Sequence, residues 1–197
     1  MPLLSIFTAF GLSSAAGLNA YIPLFIIAIL GRMHVIPLSA PYDVITQWWA
    51  IIMIGVLLAA EIVIDKIPAA DHVNDVIQTV IRPATGALLF AATSGLTHLP
   101  PSMVLFIGLL PALGVHATKA TVRPVVNATT AGFGAPVAST VENVLAITST
   151  FLAIFLPVVF MIFAVLVIFC VYRFYRWLRL KRAILVVSTS NPTPVET

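Results

Sequence analysis

The chain has 197 residues, 60% of them hydrophobic and 9% charged, and a mean hydropathy of +1.10. Soluble domains carry about 25% charged residues, so a water-facing globular domain is excluded and the lipid bilayer is the expected partner. The formal charge of +3 marks no nucleic-acid protein: five of the ten basic residues, Arg173, Arg176, Arg179, Lys181 and Arg182, follow the last apolar run, as in a tail against anionic headgroups.

The opening MPLLSIFTAFGLSSAAGL has no Lys or Arg ahead of its apolar stretch, whereas a cleaved signal peptide needs a basic start. It reads as a retained membrane helix. A spanning helix needs about 20 mostly apolar residues, and Leu3 to Leu30 supplies them in one span, with Pro23 as the kink. Gly31, Arg32 and the proline-bearing MHVIPLSAPYD form a loop. Trp48 and Trp49 then fall where an interfacial aromatic belt lies, and a second span runs from Thr46 to Asp65.

In DHVNDVIQTVIR, Val73, Val76, Ile77 and Val80 recur at helical spacing, with Asp71, Asp75, Gln78 and Arg82 on another face. The pattern predicts an interfacial amphipathic helix over 71–82 with a solvated polar face, ended by Arg82-Pro83. Ala84 to Leu96 is short for a span. It either borrows residues from the amphipathic helix or re-enters the membrane. Met103 to Ala117 is another short span, containing Pro111. The loop TKATVRPVVNATTAGFGAP follows.

Val137 to Lys181 as one unbroken helix would be about 68 Å long, against a hydrocarbon core of about 30 Å. Thr148-Ser149-Thr150 and Pro157 are the candidate breaks. The favoured division is a fifth segment over Pro136 to Thr148 and a sixth over Phe151 to Trp177. Cys170 lies in the last apolar run and, as the single cysteine, makes no intramolecular disulfide. Residues 183–197 read as a polar, disordered tail, leaving 1–182 as one transmembrane domain.

The expected fold class is therefore all-α, a polytopic bundle of about six segments, some short or re-entrant. Six segments with both termini inside put nine basic residues on the cytoplasmic side and Arg32 alone outside, a strong positive-inside count. The inner, cytoplasmic membrane is the expected location. An internal echo pairs GLSSAAGLNA at 11–20 with GLLPALGVHA at 108–117, and a weaker one pairs AAEIV at 59–63 with TVENV at 140–144. These are compatible with a 3+3 inverted repeat of the kind found in secondary transporters. They are equally compatible with helices that look alike because Gly, Ala and Leu pack closely.

The chemistry-bearing residues gather at one end. Glu61 and Asp65 share a helix face at i, i+4, with Asp65 and Lys66 expected at the hydrated boundary and Glu61 a turn deeper. Glu142 enters the fifth segment from the same side. A charge at the bilayer centre costs about 2.5–3.5 kcal/mol on insertion scales, so such residues pair, line a wet cavity or face the bundle interior. The candidate polar pocket comprises Glu61 and Glu142 as proton or cation sites and Lys119 and Arg123 as their partners or anion anchors. Asp65 and Arg82 converge on it, and Asn19, His116 and Asn143 add hydrogen bonds. The structural alternative is a set of ion pairs that locks helices together. No enzyme motif occurs, the four histidines lack metal-ligand spacing, and no metal, cofactor or nucleic acid is called for.

Taken together, GLSSAAGLNAYIPL, EIVIDKIPAADH, IRPATGAL, GVHATKATVRP and GAPVASTVENVLA resemble the bacterial integral-membrane family catalogued as domain of unknown function 4126, over roughly residues 5 to 160. The resemblance implies a small polytopic membrane protein with no assigned activity, and it carries over no catalytic residue. Members of that family commonly carry Glu-Asp where this chain has Glu142-Asn143. Two functions stay open at this point: a small-solute or ion carrier or channel using the intramembrane acids, its solute unknown, or a non-enzymatic accessory or scaffold subunit of a larger membrane complex. A homo-oligomer fits either.

Overall fold

The structure, a computed structural model, describes residues 2–66, 68–130 and 134–190. Its helices are α1 (Pro2–Leu18), α2 (Tyr21–Arg32), α3 (Trp48–Ile64), α4 (Pro68–Thr93), α5 (Pro101–Thr129), α6 (Gly134–Phe155) and α7 (Pro157–Ser190), with one 3-10 turn at Tyr42–Thr46. No strand occurs among the described residues. The chain divides into two compact units, Met1–Phe160 and Met161–Thr197. The first is a helical bundle. In the second, α7 exposes the apolar side chains of Ile162, Phe163, Val165, Leu166, Val167, Ile168, Phe169 and Tyr172 and carries Arg173 and Arg176 beyond them. Helix continues to Ser190, into the stretch expected as a disordered tail from residue 183, and residues 191–197 lie outside the described residues.

Among the described residues, three helices have stretches long and apolar enough to cross a membrane: Val76–Thr93, Pro101–Val122 and Pro136–Phe155. Shorter apolar helices cover Leu3–Leu18, Tyr21–Arg32, Trp48–Ile64 and Pro157–Cys170. With hydrocarbon outside, a stable bundle turns its polar groups inward. Accordingly Ile52, Val56, Val63, Val76, Val80, Val137 and Val144 are exposed.

The expected first span is two helices. The break falls at Asn19, whose Oδ1 accepts the backbone N–H groups of Tyr21 and Ile22, both at 3.0 Å. That side chain supplies the partners a helix start lacks. Pro23 stands in the first turn of α2, where its missing N–H costs nothing, so it produces no kink.

α1 packs chiefly against α4, α5 and α6. Small residues let the backbones close in: Ala9, Ala15, Ala16, Ala112, Ala146 and Ala153 are fully buried. Ser13 donates to the carbonyl of Gly108, and a Cβ on Gly17 would lie 2.5 Å from the carbonyl oxygen of Ala112. These contacts set α1 and α5 side by side and parallel. Phe10 meets Phe90 edge-on at 5.0 Å, and Gly86 lies against Ser13 and Ala112, so α4 runs antiparallel to both.

This geometry corrects the inverted-repeat reading. The echo of 11–20 in 108–117 falls on two parallel helices. The weaker echo joins α3 to α6, whose ends meet head to head where Lys66 donates to Thr140 Oγ1 at 2.6 Å. One pair is parallel and the other antiparallel, so no single axis relates both.

Two further boundaries move. α4 passes through Pro83 without ending and joins the amphipathic stretch to the short span, the borrowing that 84–96 required. α6 runs through Thr148–Thr150, where Ser149 and Thr150 hydroxyls bond back to the carbonyls of Leu145 and Ala146 at 2.6 Å each. The break comes instead at Leu156-Pro157, where proline cannot continue the ladder.

Candidate functional site

α3 and α4 meet as an antiparallel ladder of polar rungs. Glu61 and Asp65 stand one turn apart on α3. Asn74, Gln78 and Arg82 stand at successive turns of α4, all facing inward. At one rung Arg82 Nη2 donates to Glu61 Oε1 at 3.2 Å, with side chains 0% and 1% exposed. At another, Asn74 Nδ2 donates to Asp65 Oδ1 at 2.9 Å. Gln78 lies between them, beside the Tyr21 side chain at the start of α2.

α5 contributes His116 and Lys119. His116 Nδ1 lies 3.3 Å from Arg82 Nη1, and its Nε2 lies 3.1 Å from Thr79 Oγ1. Guanidinium only donates. Nδ1 is therefore the acceptor in that contact. Lys119 Nζ lies 2.8 Å from Glu142 Oε2 of α6 and also donates to the Leu18 carbonyl at the end of α1, at 3.4 Å. A cation there complements the negative end of the α1 dipole. Asn19 Nδ2 donates to Asn143 Oδ1 at 3.0 Å, tying the α1–α2 break to α6.

The structure thus brings Glu61, Asp65, Arg82, His116, Lys119, Glu142, Asn143 and Asn19 to one end of the bundle. The side chain of Arg123 lies outside the described residues. Two expectations are corrected. Asp65 is 1% exposed, bonded to Asn74 rather than hydrated. Gln78 and Arg82 belong to the interior, because the helix faces lipid with Val76 and Val80; the side chains of Asp71 and Asp75 lie outside the described residues.

Sequence reasoning missed Asn74, Thr79 and Tyr21. Asn74 was signalled by its i, i+4, i+8 register with Gln78 and Arg82. Thr79 and Tyr21 carried no signal of their own, since their partners come from other helices.

Glu61 Oε2 and Gln78 Oε1 are buried acceptor oxygens with no hydrogen-bond donor among the described residues. No group of three or more His, Cys, Asp or Glu side chains is placed to hold a metal ion among those residues. At the opposite end of the bundle, Arg32 stacks over Trp48 at 4.7 Å, and a small open cavity of about 160 Å³ is lined by Ser39, Tyr42, Ala91, Leu99 and Val104, among others.

Neither a curated protein nor a solved structure matches the chain. The family model described as Domain of unknown function (DUF4126) matches residues 6–177, and the chain belongs to that family.

Proposed function

We propose that this membrane protein is a small-solute or ion carrier whose pathway passes the buried Glu61–Arg82 pair. That pair is the single observation behind the reading. Two charges stand wholly inside a bundle whose exterior is apolar. A buried ion pair adds little stability compared with well-packed apolar side chains of the same volume, so a bundle that needed only packing would not require it. Intramembrane ionisable groups facing a bundle interior mark ion and substrate routes. The interruption between α1 and α2 supports the reading, since carriers bind substrate where helices break near their sites.

In this proposal the end bearing Lys66, Arg82 and Lys119 faces the cytoplasm, following the positive-inside rule, in an inner membrane. α1 then starts at the outer face. The expectation of an inward N-terminus came from counting Leu3–Leu30 as one crossing.

The test is flux into proteoliposomes, with proton movement read by an internal pH dye and alkali cations by radiolabelled sodium and rubidium. The expected result is flux in the wild-type protein that Glu61→Gln or Glu142→Gln abolishes while the elution profile in detergent is unchanged. Unchanged flux in both variants removes the role of the acids. Native purification in fixed ratio with larger membrane proteins would favour the scaffold function instead.

A further inference from the structure

We propose that α7 is a lipid-immersed helix whose basic end binds the headgroups of anionic phospholipids. The proposal concerns the second unit alone and does not depend on the carrier reading.

Exposure around the whole helix is the starting observation. Val165, Leu166, Val167, Ile168, Phe169 and Cys170 follow one another in the chain, and all are exposed. At about 100° of rotation per residue, such a run points to every side of a helix. A protein partner, a second copy included, covers one face and leaves the others bare. Side chains that are apolar on every side fit hydrocarbon, which surrounds a helix evenly. From Pro157 to Tyr172 the helix rises about 24 Å, most of a hydrocarbon core about 30 Å thick. No Asp, Glu, Lys or Arg interrupts that stretch.

The change at its end is abrupt. Tyr172 is exposed and is an aromatic of the kind that sits at headgroup level. Arg173 and Arg176 follow, three residues apart and therefore neighbours on the helix surface. Both are exposed, and neither pairs with an acid among the described residues. Arg179, Lys181 and Arg182 come next in the chain, and the helix continues past them. The whole sequence from 143 to 195 contains no Asp or Glu, so the cluster has no compensating acid on its own helix.

A lipid phosphodiester is the complementary partner. It lies at the depth where an apolar helix ends, and guanidinium meets phosphate oxygens with two parallel N–H donors. A zwitterionic lipid carries an ammonium beside its phosphate. Lipids with a net negative headgroup, such as phosphatidylglycerol, therefore gain more from the cluster. A soluble polyanion would meet the same charges, but the apolar run directly before them holds them at a membrane surface.

The single cysteine supplies the probe, because Cys170 is exposed and stands one turn before Arg173. The full chain, labelled at Cys170 with a thiol-reactive fluorophore, is reconstituted in phosphatidylcholine vesicles. A small fraction of nitroxide-bearing lipid is added, either phosphatidylglycerol or phosphatidylcholine, with the nitroxide just below the headgroup. The expected result is quenching by both lipids, with phosphatidylglycerol enriched around the probe on the order of tenfold at low salt. The preference shrinks as sodium chloride is raised. It persists in Arg173→Lys/Arg176→Lys, which keeps the charge. It disappears in Arg173→Gln/Arg176→Gln/Arg179→Gln/Lys181→Gln/Arg182→Gln.

Equal quenching by the two lipids in the wild-type protein at low salt overturns the proposal, whether or not any variant inserts. Quenching by neither does the same, since protein would then cover α7. So does a preference that survives removal of all five charges. Loss of the preference to millimolar inorganic phosphate, at constant ionic strength, would assign the cluster to a soluble anion and sink the lipid site.

Discussion

Arg82 is fully buried and touches two helices besides its own, reaching Glu61 on α3 and His116 on α5. Removing one member of such a pair strands the other charge, at about 3–5 kcal/mol. Arg82→Met should therefore lower Tm in detergent more than the double change Glu61→Met/Arg82→Met, which removes both charges at similar volume. Equal losses would mean that the pair itself contributes nothing. Asn19 is the second residue of this kind. Asn19→Ala removes the acceptor for two N–H groups and the link to Asn143, and should cost about 1 kcal/mol in the cap alone. Asn143→Ala should cost less, leaving the cap intact; comparing the two melting curves checks the order. Glu61, Arg82, Lys119 and Glu142 were visible in the sequence because a charge inside an apolar run is conspicuous. Which cation pairs with which acid was not, since partners come from helices far apart in the chain.

At the scale of elements, α4 shows how one face of a pattern can be read correctly and the other not. Its apolar face was read as lying in the membrane interface and its polar face as solvated. Val76 and Val80 do face outward, but Gln78 and Arg82 turn to the bundle interior instead of to water. Val80→Arg, on the exposed face, should therefore impair insertion, and Val80→Leu should not; membrane-fraction yield separates the two. Backbone approach governs α1 and α5. A Cβ on Gly17 would strike the Ala112 carbonyl, which cannot rotate away, so Gly17→Val should cost about 1–3 kcal/mol of overpacking strain. Gly114, with open space around its Cβ position, should tolerate alanine, and Tm of the two variants tests the contrast. The proline breaks were legible only in part. Pro157 interrupts the ladder, while Pro23, Pro83 and Pro111 sit within helices, because a first-turn site or firm packing on neighbours absorbs the lost bond.

For the bundle as a whole, the break at Asn19 changes the count of crossings. α1, α3 and α5 run toward the polar end, and α2, α4 and α6 run away from it. With Cys170 replaced, single cysteines at Leu3 and Val35 should react with an impermeant thiol reagent from one side of the membrane, and a cysteine at Thr140 from the other. Leu3 labelling from the same side as Thr140 would restore Leu3–Leu30 as a single span.

The sequence by itself determined that the chain is helical, that it belongs in a membrane, and that its charges collect near the ends of a few apolar runs. Those properties follow from composition and local spacing, which tertiary structure does not alter. Only the tertiary structure decided that Asp65 and Gln78 are interior, that α1 and α2 are separate helices, and that the echoed stretches are parallel neighbours. Each depends on what a side chain meets across a helix interface. In a bilayer the same spacing serves a polar face turned to water or one turned to the core, and only the neighbouring helices choose between them.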